Sequence, residues 1–256
     1  MKTLTKTSRR GFIKTGLTAS GGLVLGFNLT SAFASIESIT QAAFEGAVDF
    51  NSYLSISPDD VITIFSPNPE LGQNIKTSFP MVVAEELDAD WKKVKVVQAA
   101  LDTKKYERQL TGGSGAVPHS WERLRKAGAT ARQMLMEAAA KRWKVPVSSL
   151  ATNAGFVVHT DGRKLSYGAL ATEAAGVPVP TEVKLKNPKE FKLIGTAVPN
   201  VDNKEMVTGK PLYGLDFYRE GMMHAMIQRP PAFGTKIKSV DASAAKAMPG
   251  IVDVVT

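Results

Sequence analysis

Two short loops hold the residue types best suited to gripping a ligand. In Pro69-Glu70-Leu71-Gly72-Gln73, a flexible glycine and an amide stand just ahead of a helical pattern. A helix N-terminus offers free N–H groups and a positive dipole end to anionic groups. Gln73 adds donors and an acceptor suited to reading a ring edge. In Thr111-Gly112-Gly113-Ser114-Gly115-Ala116, glycines let a backbone approach a phosphate closely and Ser114 adds a hydroxyl. The spacing is neither that of the dinucleotide fingerprint nor that of the P-loop. Taken singly, each loop reads as readily as a plain connection into a helix. Taken together, they repeat one arrangement that is able to hold a single phosphorylated ligand.

Other chemistries find less support. His119, His159 and His224 lie far apart and show no metal-ligand spacing, so no protein-held metal is expected. No G-x-S-x-G elbow occurs, and Gly113-Ser114-Gly115 is too short to stand for one. There is no cysteine, which excludes a disulfide framework, a zinc–cysteine site and an iron–sulfur cluster built on this chain alone.

The loops need elements to position them. Phe50, Tyr53, Leu54 and Ile56 read as strand, followed by a Ser57-Pro58-Asp59-Asp60 turn and a second β-rich run, Val61 to Phe65. The first Gly loop then leads into a helix over 77–87, with Phe79, Val82, Val83 and Leu87 on one stripe and Pro80 in its first turn. Val94 and Val96 mark another strand. The second Gly loop leads to the clearest helix, about 121–143, with Ser120 as its N-cap and Pro146 beyond its end. Its small residues, including Gly128, imply close packing. Asp161-Gly162 sets a hairpin, and Ser166 caps a short helix through Ala175. The fold class is therefore α+β or mixed α/β.

The division expected is a signal at 1–34, a tether at 35–48, a sheet-and-helix domain at 49–177, a proline-punctuated linker at 178–190 and a second domain at 191–256. A helix is expected near 242–247. The β-rich run 251–256 reads as a strand without a closing turn, and the chain is expected to be a fragment.

The start of the chain carries an address. Ser8-Arg9-Arg10-Gly11-Phe12-Ile13-Lys14 matches the twin-arginine export pattern, a mildly apolar run follows, and Ala32-Phe33-Ala34 is a cleavage site. The run is broken by polar residues and glycines, which argues against a membrane span. The expected location is the periplasm or beyond it, reached through the twin-arginine machinery. Lys2, Lys6, Arg9, Arg10 and Lys14 belong to that address. The remainder holds 27 basic against 24 acidic residues, a balance of +3, too small for a nucleic-acid footprint.

In sequence order, these blocks resemble the N-terminal part of the molybdopterin-binding large subunits of the xanthine dehydrogenase and aldehyde oxidoreductase family. The similarity is greatest to the isoquinoline 1-oxidoreductase beta subunit type. It is carried by Gly21-Gly22-Leu23-Val24-Leu25-Gly26-Phe27, by Pro69 to Gln73 with Ala84-Glu85-Glu86-Leu87 and Trp91, and by Thr111 to Ser114 with Leu124-Arg125-Lys126-Ala127-Gly128-Ala129. Beyond the linker, Ile194-Gly195, Thr208-Gly209-Lys210-Pro211-Leu212-Tyr213-Gly214 and Arg229-Pro230-Pro231 resemble the start of that family's α/β hammerhead domain.

The resemblance implies a molybdenum hydroxylase whose metal rides on a molybdopterin cofactor, the cytosine dinucleotide form included, and not on protein cysteines. It would insert a water-derived oxygen into a C–H bond of an N-heteroaromatic ring or an aldehyde. Electrons would leave through a small subunit carrying 2Fe–2S clusters, with a cytochrome c among the candidate acceptors. By the same resemblance, Gly72 and Gln73 would meet the pterin, and Gly112, Gly113, Ser114 and Ser120 would lie along pterin and phosphate. Asn74 departs from the family's glycine at that position. The family's catalytic Glu lies outside this chain, so no catalytic residue is assigned and the chain alone is expected to be inactive. A non-catalytic exported fragment that binds a ligand or partner is the alternative.

Overall fold

The computed structural model describes residues 48–210 and 213–256. The expected signal, nearly all of the tether, and Pro211 and Leu212 lie outside the described residues. The described residues divide into two compact units, with the boundary between Gly209 and Lys210.

The first unit is mixed α/β, as the sequence pattern implied. Its larger sheet runs β1 (Val48–Asn51), β2 (Leu54–Ile56), β3 (Ile62–Ser66) and β4 (Val94–Gln98). β1, β2 and β3 pair antiparallel, and the expected turn at 57–60 joins β2 to β3. β3 and β4 are parallel, with Ile62 opposite Val94 and Ser66 opposite Gln98. Parallel neighbours need a crossover, and helix α1 (Ile75–Leu87) supplies it. The first Gly loop is therefore the connection that leaves the C-terminal end of β3, the edge where ligands bind in open α/β sheets.

After β4 comes a one-turn helix, α2 (Thr103–Tyr106), capped by the Asp102 carboxylate. The second Gly loop then enters α3 (Ala116–Trp143). Along α3, Leu124, Ala131, Leu135 and Ala138 recur at helical spacing and are all buried. Gly128 marks the closest approach of α3 to α1, since a Cβ there would stand 2.3 Å from the Val83 carbonyl oxygen. A second sheet, β5 (Leu150–Asn153), β6 (Phe156–His159) and β7 (Lys164–Ser166), contains the expected Asp161-Gly162 hairpin. Ser166 caps α4 (Tyr167–Ala175), accepting from the Ala169 N–H at 3.3 Å. The fully buried Tyr167 donates its hydroxyl to the Leu87 carbonyl at 2.6 Å, closing the C-terminal end of α1. One apolar core joins Leu54, Ile56, Ile62 and Ile64 with Phe79, Val83, Leu124, Leu135 and Leu170.

Two helix boundaries differ from expectation. α3 starts at Ala116, so Ser120 is not its N-cap but lies in the second turn, 1% exposed. Pro118 looks like a breaker in sequence, yet it falls in the first turn, where the missing N–H has no intrahelical partner to lose. α1 likewise starts at Ile75, so Pro80 lies beyond its first turn.

Residues 178–209 belong to the first unit. Between Lys186 and Ile194 they form a strap over α1 and α3. The Glu85 carboxylate accepts N–H groups from Lys192, Leu193 and Ile194 at 3.0, 2.6 and 3.1 Å. Fully buried Glu86 accepts from Arg125 at 2.6 Å and from the Lys186 N–H at 3.0 Å. Arg125 packs beside both the Trp121 and Phe191 rings, 5.6 and 5.3 Å from their centroids, and the two rings meet edge to face at 6.3 Å. Further along, α5 (Asn203–Val207) is tied back by an Asp202–Lys76 ion pair at 2.7 Å.

In the second unit, the only helix among the described residues is α6 (Ser243–Lys246). The run 251–256, expected as a strand, joins no ladder, and no strand occurs among the unit's described residues. Leu215, Met226 and Phe233 are fully exposed there.

Candidate functional site

The two Gly loops meet. Asn68 donates its side-chain amide to the Leu110 carbonyl at 2.9 Å, and the Thr111 hydroxyl donates to the Pro69 carbonyl at 2.8 Å. Gln109 reinforces the seam by donating to the carbonyls of Pro67 and Ala100 at 3.0 and 2.9 Å. Gln98, the last residue of β4, donates to the carbonyls of Ser66 and Asn68. The parallel β3–β4 edge thus carries both loops side by side, as one ligand spanning them requires.

The first loop is satisfied from within. The Glu70 carboxylate accepts the backbone N–H groups of Gly72, Asn74 and Lys76 at 2.7, 2.9 and 2.9 Å. Partial burial pushes its pKa up, but these hydrogen bonds outweigh that and hold it below the ordinary carboxylate value. An acid of the chain therefore already fills the N-terminus of α1, the place the sequence offered to an anionic ligand. Gln73 is exposed and folded onto its own loop: its oxygen accepts the Leu71 N–H at 2.6 Å, and its nitrogen donates to the Pro69 carbonyl at 3.2 Å. Gly72 has φ +101°, and Asn74 occupies the left-handed region at +69°, a conformation asparagine tolerates next best after glycine.

The second loop is open where the first is closed. Gly112 to Gly115 form a tight turn with positive φ at Gly113 (+59°) and Ser114 (+53°). Gly112, Gly113 and Ser114 are exposed, and nothing stands within 4 Å of a Cβ at either glycine. α3 follows with Gly115 as N-cap and no side chain capping it. A Cβ at Gly115 would stand 2.9 Å from the His119 ring and 3.0 Å from the Arg108 guanidinium. Arg123 lies beneath, donating to the Arg108 carbonyl and to the Ser120 hydroxyl at 3.2 and 2.8 Å and pairing with Glu107 at 3.1 Å. Ser120 is thus committed to Arg123 inside the helix. The loop offers free helix amides, exposed glycines and flanking cations, a combination that suits an anionic group.

Of the residues singled out in sequence, Gly72, Gln73, Gly112, Gly113 and Ser114 stand on the two joined loops. The sequence reading missed Asn68, Arg108, Gln109 and Arg123. Arg108 and Arg123 had a signal, being cations that flank an uncapped glycine turn. Asn68, between two prolines, had none. His119 touches the second loop, whereas His159 pairs with Asp161 in the hairpin. Among the described residues, no three or more His, Cys, Asp or Glu side chains gather as a metal site would need.

A mixed α/β domain with a β-α-β edge carrying two fused glycine loops is a cofactor-binding architecture. The family described as the molybdopterin cofactor-binding domain matches residues 20–217. Isoquinoline 1-oxidoreductase subunit beta of Brevundimonas diminuta is 32% identical over 287 residues, 96% of this chain and 36% of that protein. A membrane-bound aldehyde dehydrogenase (pyrroloquinoline-quinone) of Gluconacetobacter polyoxogenes is 34% identical over 96% of this chain and 32% of its own length. Among solved structures, quinoline 2-oxidoreductase from Pseudomonas putida 86 superposes with a TM-score of 0.36 at 17% identity, covering 48% of this chain and 15% of that one. The chain belongs to the molybdopterin-binding large-subunit family of the xanthine dehydrogenase type. It spans about a third of the length of the two curated relatives, at 36% and 32%.

The residues present fit such a cofactor. The open turn before α3 suits its phosphate, and unpartnered buried oxygens of Ser66, Asn68 and Asn74 in the first connection suit a nitrogen-rich ring.

Proposed function

We propose that this chain is the cofactor-gripping N-terminal portion of a molybdenum hydroxylase large subunit acting on an N-heteroaromatic ring or an aldehyde. The observation that carries the reading is the hydrogen-bonded seam from Asn68 to Leu110 and from Thr111 to Pro69, which makes one site of two loops. The names of the relatives support both substrate classes, one being an isoquinoline oxidoreductase and the other an aldehyde dehydrogenase. The second name carries pyrroloquinoline quinone, but the family match favours molybdopterin.

The cofactor, when bound, supplies the oxygen-transfer and redox chemistry. The chain's own residues bind and orient it. The backbone N–H groups of the 112–116 turn, with Arg108, take the phosphate end, in pterin or cytosine dinucleotide form. Gln73 meets the ring by exchanging its bonds to Leu71 and Pro69 for bonds to the ligand. Ser120 acts at one remove, by holding Arg123 under the turn. The catalytic Glu lies elsewhere in the enzyme, so this portion alone is inactive. Electrons pass to a small subunit with 2Fe–2S clusters and on to an acceptor such as a cytochrome c.

Export belongs to the same reading. Arg9 and Arg10 direct the folded, cofactor-loaded protein through the twin-arginine machinery to the periplasm. Replacing both by Lys is expected to leave the protein in the cytoplasm, as cell fractionation would show.

The central test is metal and pterin analysis of the enzyme containing this chain, co-produced with its small subunit. Molybdenum and pterin in equal amounts are expected. Neither in the purified complex would sink the reading, and a quinone in their place would move it to the second relative's cofactor.

A further inference from the structure

The geometry points to Asn68 as a ligand-reading residue whose side-chain oxygen accepts an N–H from the bound heterocycle. Asn68 is 1% exposed, and its amide lies between the two loops. The Leu110 carbonyl can only accept, so the atom facing it is the amide nitrogen, and the oxygen is the atom left over. That oxygen is buried without a hydrogen-bond partner. Buried polar groups are seldom left so, and each exception calls for an explanation.

The surroundings narrow what it awaits. The polar side chains that sew the seam are already committed: Gln98, Gln109 and Thr111 all donate to loop carbonyls. Glu70 is filled by backbone N–H groups. Among the buried side-chain atoms from the end of β3 to the N-cap of α1, those left unpartnered are the Ser66 hydroxyl and the amide oxygens of Asn68 and Asn74. The amide oxygens can only accept, so they disfavour a phosphate and attract N–H groups. A nitrogen heterocycle with ring N–H and amino donors, as a pterin is, satisfies them.

This inference rests on the cofactor reading above and adds a residue to it. It is tested on purified holoenzyme from a molybdopterin-making host, as wild type, Asn68→Leu, Asn68→Asp and Tyr167→Phe. Retained pterin per polypeptide is read by fluorescence after oxidation, and Tm by circular dichroism. Tyr167→Phe is the structural control, since it removes a buried hydrogen bond at the far end of α1. Asn68→Leu is expected to retain about tenfold less pterin than wild type, while Tyr167→Phe stays within about twofold despite its loss of Tm. Asn68→Asp keeps an acceptor but loses the donor to Leu110, so it should recover pterin relative to Asn68→Leu while its Tm stays low. Equal pterin loss in Asn68→Leu and Asn68→Asp, pterin loss in every variant in proportion to Tm, or wild-type retention in Asn68→Leu, overturns the inference and leaves the cofactor reading standing. Wild-type enzyme without pterin overturns both. If Asn68→Leu fails to fold, Asn68→Ala takes its place with the same expected and overturning results.

Discussion

Glu70 shows how one side chain changes the reading of a motif. In sequence it is a charged residue two places before a glycine; in the fold its carboxylate gathers the N–H groups of Gly72, Asn74 and Lys76 at the start of α1. Its folded pKa lies below the ordinary 4.5, so the stabilisation is complete above that value and is lost as pH falls through the lower folded value. Glu70→Gln is expected to cost about 1 kcal/mol at neutral pH, and the gap to wild type should close in acid. Urea denaturation across pH checks both points. Asn74→Gly is expected to be neutral or stabilising by up to about 1 kcal/mol, because it relieves a positive φ and removes a buried unpartnered oxygen. A loss of stability on that change would show the Asn74 side chain to be engaged. Gln73 and the second loop's glycines were legible in sequence because flexible residues ahead of a helix are conspicuous. Asn68 was not, since burial between loops distant in sequence leaves no local pattern.

At the scale of elements, periodicity was a good guide to which faces of α1 and α3 are buried and a poor guide to where they begin. The starts depend on Glu70 and on the turn at 112–115, which no period reports. Charge alone gives no reason to bury Glu85 and Glu86, two adjacent acids near the end of α1. They are buried because the strap brings Lys186, backbone amides and, from α3, Arg125 to them. Glu85→Gln is therefore expected to speed amide exchange at residues 192–194 while leaving the β3–β4 ladder unchanged. Burial raises the Glu85 pKa, but the strap's N–H groups and Lys186 lower it more, so the strap's hold is full above 4.5 and weakens as acid protonates the group. Equal protection factors for the amides of residues 192–194 at pH 3 and pH 7 would count against this. Gly128→Ala drives a methyl against the Val83 carbonyl and is expected to destabilise by about 2–4 kcal/mol, seen as a lower urea midpoint.

For the whole molecule, composition and block order were enough for the fold class, because an ordinary apolar content with mixed periodicities admits few architectures. The division at 178–190 rested on prolines, which mark stiff backbone; what the backbone lies against is set by buried carboxylates a hundred residues earlier. The compact unit accordingly runs to Gly209. Ending the chain there is expected to leave the melting temperature of the first unit within about 3 °C and to reduce binding of a hydrophobic dye, since Leu215, Met226 and Phe233 go with the removed part. A large loss of melting temperature would show that the second unit supports the first.

The strap also sets a timetable for folding. Glu85 is made 108 residues before the Leu193 amide it accepts. At roughly 5–20 residues per second, synthesis of that interval takes on the order of 5–20 s. During this time α1 and α3 can dock, but Glu85 and Glu86 of α1 lack the strap groups that satisfy them. The pairing is long-range and hence slow to nucleate. A nascent chain therefore carries acids at the C-terminal end of α1 without their strap partners until residue 194 has left the ribosome, a window in which a chaperone has a charged, unfinished surface to recognise.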